Sequence, residues 1–184
     1  MQTWAAFFLA LLLPATVVMG ELGLPGGPLK LDHKVYDGAD IIKIISTFDY
    51  VVAISDADND TIFECMSAKR LEYDPAVLSA TYLWVFPSTG LEVPIFIQPG
   101  GPVGTVQFTI PQDETPKEAV VYYSNYENCV VVSVEFNGNQ CILWTNTAVK
   151  DNVPQDCIDH FVDTCGVIVP KHSRDLCPDG EGDY

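Results

Sequence analysis

Basic side chains are scarce in this chain. Nine lysines and arginines stand against 25 aspartates and glutamates, a formal net charge of −16. A field of that sign repels phosphate backbones and anionic lipid surfaces, so nucleic acid and membrane are excluded as partners. Histidine is scarcer still, with His33, His160 and His172 spread far apart. No His-Glu-x-x-His, no Gly-x-Ser-x-Gly elbow and no Cys-x-x-Cys pair occurs, so the sequence offers neither a hydrolase nucleophile nor a zinc site. No catalytic residue, metal or cofactor is assigned, and the chain is not read as an enzyme. Cys157-x-x-His160 faintly echoes secreted phospholipases, but the paired cysteines and glycine-rich calcium loop of that class are missing.

Long apolar runs are also missing beyond the N-terminus; none reaches the roughly 18 residues that a spanning helix needs. Residues 1–20 carry no charged side chain, hold an apolar run from Ala5 to Leu13 and end in Val18-Met19-Gly20. That pattern predicts a secretory signal peptide cut after Gly20, and a secreted, extracellular protein. Six cysteines in an oxidising compartment predict three disulfides, of which the sequence alone permits fifteen arrangements. Asn59-Asp60-Thr61 is the single glycosylation sequon. It sits in Asp56-Ala57-Asp58-Asn59-Asp60, which reads as a solvated hairpin tip, since the glycine and distal glutamate of a calcium loop are not in place.

The organisation follows from periodicity. Residues 21–36 form a leader, with Pro25, Gly26, Gly27 and Pro28 and no period. Ile41, Ile44, Ile45 and Phe48 fall at helical spacing within Asp40 to Tyr50. The period then becomes two, and eight strands are predicted: 50–55, 61–73, 79–86, 93–98, 104–110, 118–126, 129–136 and 140–145. Turn chemistry separates them at Asp74-Pro75, Pro87 to Gly90, Pro99 to Pro102, Pro111 to Pro116 and Asn137-Gly138. The expected fold is mainly β, an eight-stranded up-and-down antiparallel barrel over residues 37–177 with an acidic tail at 178–184; a sandwich is the alternative. Eight strands enclose about enough room for one small ligand.

The last hairpin can be read further. Val130, Val132, Val134 and Phe136 share one strand face, Cys129, Val131, Ser133 and Glu135 the other; on the return strand Ile142 and Trp144 oppose Cys141 and Leu143. A two-residue Asn137-Gly138 turn would put Cys129 on the face of Trp144. A three-residue loop, Asn137 to Asn139 with Asn139 left-handed, would put Cys129 with Cys141. Cys157, Phe161 and Cys165 lie one helical turn apart in an acidic amphipathic segment from Asp156 to Cys165. If that helix packs outside the barrel and meets both strand cysteines, the three-residue loop follows, and the valines, Ile142 and Trp144 line the interior.

Asn128-Cys129, a hydrophobic strand, Cys141-Ile142-Leu143-Trp144 and Pro154-x-x-Cys157-x-x-x-Phe161-x-x-x-Cys165 together resemble the tick salivary lipocalins of the histamine-binding protein family. The N-terminal helix, Cys65 and Cys177 fit the same layout. The resemblance implies a lipocalin barrel with an N-terminal helix, an external C-terminal helix and the disulfides Cys65–Cys177, Cys129–Cys157 and Cys141–Cys165. It also implies secretion in saliva and capture of a host mediator, a biogenic amine or a lipid, by a monomer. Amine-binding members resemble Cys-Asp-(Val/Ile/Leu) on the first strand and Glu-Leu-(Trp/Tyr) on the second, whereas this chain has Cys129-Val130-Val131 and Ile142-Leu143-Trp144. Both carboxylate positions are aliphatic, which favours an apolar guest over an ammonium. Glu64, Glu72 and Glu118 are the acids that would substitute if their strands turned them inward. The expected ligand-binding residues are Tyr82, Trp84, Phe108, Tyr122, Val130, Val132, Ile142 and Trp144, with Phe96 a further candidate. The competing function is a protein-binding inhibitor of a host protease, complement component or chemokine, acting through exposed loops at Pro87 to Glu92 and Pro111 to Lys117.

Overall fold

The computed structural model describes residues 38–57, 63, 66–136 and 138–166. The signal and leader, the Asn59 sequon, Glu64, the Cys65–Cys177 pair and the acidic tail lie outside the described residues. A short helix, α1 (Ile41–Thr47), leads into β1 (Tyr50–Asp56), β2 (Ser67–Asp74), β3 (Ser79–Phe86) and β4 (Leu91–Pro99). β5 (Thr105–Ile110), β6 (Asp113–Ser124), β7 (Cys129–Glu135) and β8 (Asn139–Asn146) complete the sheet, and α2 (Gln155–Cys165) follows. Each strand pairs antiparallel with the next, and β8 returns to β1, closing the barrel. Closure leaves no unpaired sheet edge.

Two strand starts differ from the sequence reading by more than two residues. β2 begins at Ser67, and of the expected residues 61–66 the two described ones, Phe63 and Met66, are not in a strand. β6 begins at Asp113, so Thr115, Pro116 and Lys117, expected in a turn, extend a strand. Asp113 stabilises that start: its carboxylate accepts from the Thr115 amide at 3.1 Å and pairs with Lys117 at 2.8 Å.

The β7–β8 register pairs Val130 with Trp144, Val132 with Ile142 and Glu135 with Asn139. Three residues, 136–138, therefore connect the strands, one position earlier than the sequence suggested. Gly138, not Asn139, takes the positive φ, at 117°. Moving a three-residue loop by one position leaves the face of every side chain unchanged. Cys129 and Cys141 accordingly share the outer face, and α2 lies across β6, β7 and β8.

That outer face is a second core. Val52, Ile54, Val131, Leu143, Cys157 and Phe161 form one buried cluster beneath α2. β7 and β8 are thus covered on both sides, which is why their sequences read as nearly continuous apolar runs. Two disulfides fasten the helix to them, Cys129–Cys157 and Cys141–Cys165. Gly166, at φ 72°, ends α2 by returning its amide to the Val162 carbonyl.

Candidate functional site

The inner faces of the strands enclose a cavity of about 140 Å³. One end is plugged by rings: Phe63, wholly buried, packs edge-on against Trp84 at 5.9 Å and Phe136 at 5.6 Å, and tilted against Phe86 at 6.2 Å. Trp84 continues the cluster inward to Phe108 and Trp144 at 6.4 and 6.3 Å. Offset and edge-on ring pairs of this kind add to what burial alone provides.

The opposite end is capped by α1. Ile41, Ile44, Ile45 and Phe48, the helical stripe visible in the sequence, all face the cavity. The Asp40 side chain caps the helix by accepting from the Lys43 amide at 3.0 Å. At this end Tyr126 accepts from the Asp40 amide at 3.0 Å, and the Lys43 ammonium lies 4.2 Å from its ring centroid. At the other end Arg70 Nη1 donates to the carbonyls of Ile45 and, at 3.1 Å, Ser46. A cation at these carbonyls suits the negative end of the helix. The Tyr82 hydroxyl donates to the Phe48 carbonyl at 2.5 Å. Its phenol is pushed up to about 12, chiefly by burial, with Arg70 pulling the other way, so Tyr82 stays neutral at physiological pH.

Seven of the eight residues expected to bind ligand stand around this cavity: Tyr82, Trp84, Phe108, Val130, Val132, Ile142 and Trp144. Tyr122 does not. The inward positions of β6 are Ala119 and Val121, so Tyr122 points outward, and a bulge between Val121 and Tyr123 sends Tyr123 the same way. Both rings pack beside α2. Tyr122 meets Ser133, while Tyr123 donates to Asp156 at 2.8 Å and stacks on His160 at 3.6 Å. Phe96 is outward too and 43% exposed, because Ile95 and Ile97 hold the inward positions of β4. The residues expected from the sequence leave out small and aliphatic members of the wall, among them Ala68 on β2, Ile95 and Ile97 on β4, and Ala119 on β6. Strict alternation from Trp84 across the β3–β4 turn would have reached the two isoleucines.

Among the described residues the wall carries no carboxylate. Glu72 and Glu118 are both exposed. Among the described lining residues the polar side-chain atoms are the Tyr82 hydroxyl and the indole nitrogens of Trp84 and Trp144, so this wall offers mainly apolar contact. An ammonium placed there would lose its hydration without an ion-pair partner, at a cost of several kcal/mol.

Residues 105–173 match the family model described as tick histamine binding protein. The matched stretch contains β5 to β8, α2 and both disulfides, and the family is the one that the cysteine pattern resembles. No curated protein matches the chain.

Proposed function

We propose that this chain, similar from β5 through α2 to the tick histamine binding proteins, is a secreted, non-enzymatic scavenger of a small host mediator. It acts by stoichiometric capture inside the barrel, as a monomer. The guest is apolar or amphipathic rather than a biogenic amine. One observation carries that choice: among the described residues the cavity wall holds no carboxylate, and Val130 and Ile142 line it where the family resemblance implies acids in amine-binding members. Burying apolar surface yields about 25 cal/mol per Å², and the wall provides nothing else of comparable size. An apolar cavity of about 150 Å³ holds one benzene ring, so the guest's buried part is of that order unless α1 shifts to admit more.

Calorimetric titration of the oxidised protein against histamine, serotonin and a leukotriene tests the reading. Saturable heat from the lipid, absent in an Ala119→Phe variant whose new ring fills the cavity, supports it. Saturable amine binding alone would overturn the choice of guest. Silence from all three would move the function to inhibition of a host protein through the exposed turn-and-strand segments 87–92 and 111–117, where Leu91, at the start of β4, is half exposed.

A further inference from the structure

We infer that α1 is a hinged lid that opens at its N-terminal end, with Tyr126 as its latch. This rests on the proposed function, since a lid matters only if a guest passes beneath it, and it says where that passage lies. The two ends of α1 are held by different means. At the C-terminal end the chain itself continues into β1 after Phe48 and Asp49. Phe48 has already left helical geometry, at φ −93° and ψ 104°. Its side chain is buried in the cavity wall and its carbonyl accepts from Tyr82 at 2.5 Å. Arg70 adds its bonds to the carbonyls of Ile45 and Ser46. A short break at a helix terminus, pinned on both sides, has the form of a pivot.

The N-terminal end is tied differently. Among the described residues, its polar ties to the barrel all go to one side chain. The Tyr126 hydroxyl accepts from the Asp40 amide at 3.0 Å, and the Lys43 ammonium lies 4.2 Å from the ring centroid. Beside it, Gly38 and Ala39 pass over Val103 and Gly104 by backbone contact. Tyr126 has a left-handed backbone, φ 58°, uncommon for a side chain of that size. The loop that imposes this is firmly set. The Asn125 carboxamide oxygen accepts from the amides of Glu127, Asn128 and Cys129 at 2.8–3.2 Å, and its nitrogen donates to Asp156 on α2 at 3.1 Å. Ser124 Oγ accepts from the Tyr126 amide at 3.0 Å, and Asn146 donates to the Glu127 carbonyl at 2.8 Å. A strained residue persists only where its surroundings over-determine it, so Tyr126 is the fixed catch and α1 the moving part. Released there, the seven residues of α1 form a lever of about 10 Å. Rotation about Phe48 would lift Ile41 and Ile44 away from the cavity that they line.

Stopped-flow fluorescence of the full chain with iodobenzene tests this. The probe is one ring in size, and its heavy atom quenches tryptophan, so entry beside Trp84 and Trp144 is read directly. Tyr126→Phe keeps the ring and its contact with Lys43 and removes the hydroxyl. Tyr126 is not in the cavity wall, so the lid loosens equally with and without a guest. Association and dissociation rates are expected to rise together about five-fold, the scale of one hydrogen bond between neutral groups, with affinity unchanged within about two-fold. Arg70→Met, at the pivot, is expected to leave both rates within about two-fold. Unchanged rates in Tyr126→Phe would overturn the inference. An equal or larger gain in Arg70→Met would overturn it too, because the opening would then lie at the other end of α1. Should Arg70→Met fail to fold, the first comparison decides alone. Saturable quenching with unmoved rates would leave the apolar scavenger standing, whereas no saturable quenching of the wild-type protein would remove that reading and this one together.

Discussion

Val130 and Ile142 are diagonal neighbours across the β7–β8 ladder, and both face the cavity. Val130 pairs with Trp144 and Ile142 with Val132, so one register step separates them. Diagonal side chains in an antiparallel pair lie close enough to contact one ligand. Replacing both with acids, Val130→Asp with Ile142→Glu, is expected to create an amine site at a cost in stability. Each is under a tenth exposed, so unpaired charges there should lower unfolding free energy by several kcal/mol. Added histamine should recover part of the loss. Melting curves with and without histamine check this: a rise in Tm in the double variant and none in the wild type is expected.

How far the sequence discloses the barrel depends on which side of a strand carried information. β7 and β8 were legible because their cysteines have to reach a helix, and that requirement fixed the face of every neighbour. β6 carried no such mark. Its inward residues are Ala119 and Val121, while its outward ones include two tyrosines, so size alone suggested the wrong face for Tyr122. The apolar stripe of α1 was plain, but nothing local to Ile41 through Phe48 states that a closed sheet lies beneath it. That knowledge comes from the contacts of Arg70, Tyr82 and Tyr126, which are distant in sequence.

Tyr82 should make the protein sensitive to alkali. Its folded pKa is raised to about 12, against an unfolded value near 10. A raised pKa contributes stability that is complete below the unfolded value and is lost as pH climbs through the folded one. The loss should therefore fall between about pH 10 and 12 and amount to about 2–3 kcal/mol for this residue. Tyr82→Phe should begin less stable at neutral pH, having lost its bond to the Phe48 carbonyl, and decline less across that interval. Urea midpoints at pH 8, 10 and 11.5 for both proteins measure the difference. Parallel declines would show that Tyr82 ionises equally in the folded and unfolded chains.

The Cys129–Cys157 bridge should matter to α2 and not to the cavity. It spans 28 residues, for which the chain-entropy treatment gives about 3–4 kcal/mol. Both sulfurs lie on the outer face among Val131, Leu143 and Phe161. Changing both cysteines to serine is expected to lower Tm strongly while ligand affinity, measured well below the new melting point, stays within about two-fold. A comparable loss of affinity would mean that the outer cluster sets the shape of the inner wall.

Gly104 tests whether α1 governs access. It sits at φ 79°, between β4 and β5, and a Cβ added there would lie 3.3 Å from both the Ala39 nitrogen and the Gly38 Cα. Those atoms belong to the backbone that leads into α1, so they cannot yield by rotating a side chain. Alanine at this position meets an unfavourable φ and a close backbone together, and should cost about 1 kcal/mol or more. The easiest relief is displacement of residues 38–40, which would loosen the Asp40–Tyr126 hydrogen bond and the seat of Ile41. A cap held less firmly opens more often, so Gly104→Ala should raise both association and dissociation rates of an apolar probe, with a smaller change in their ratio. Stopped-flow quenching of tryptophan fluorescence, with Trp84 and Trp144 in the cavity wall, follows both rates. Unchanged rates in a folded but destabilised variant would place the ligand's path at the opposite end, through the rings of Phe63, Phe86 and Phe136.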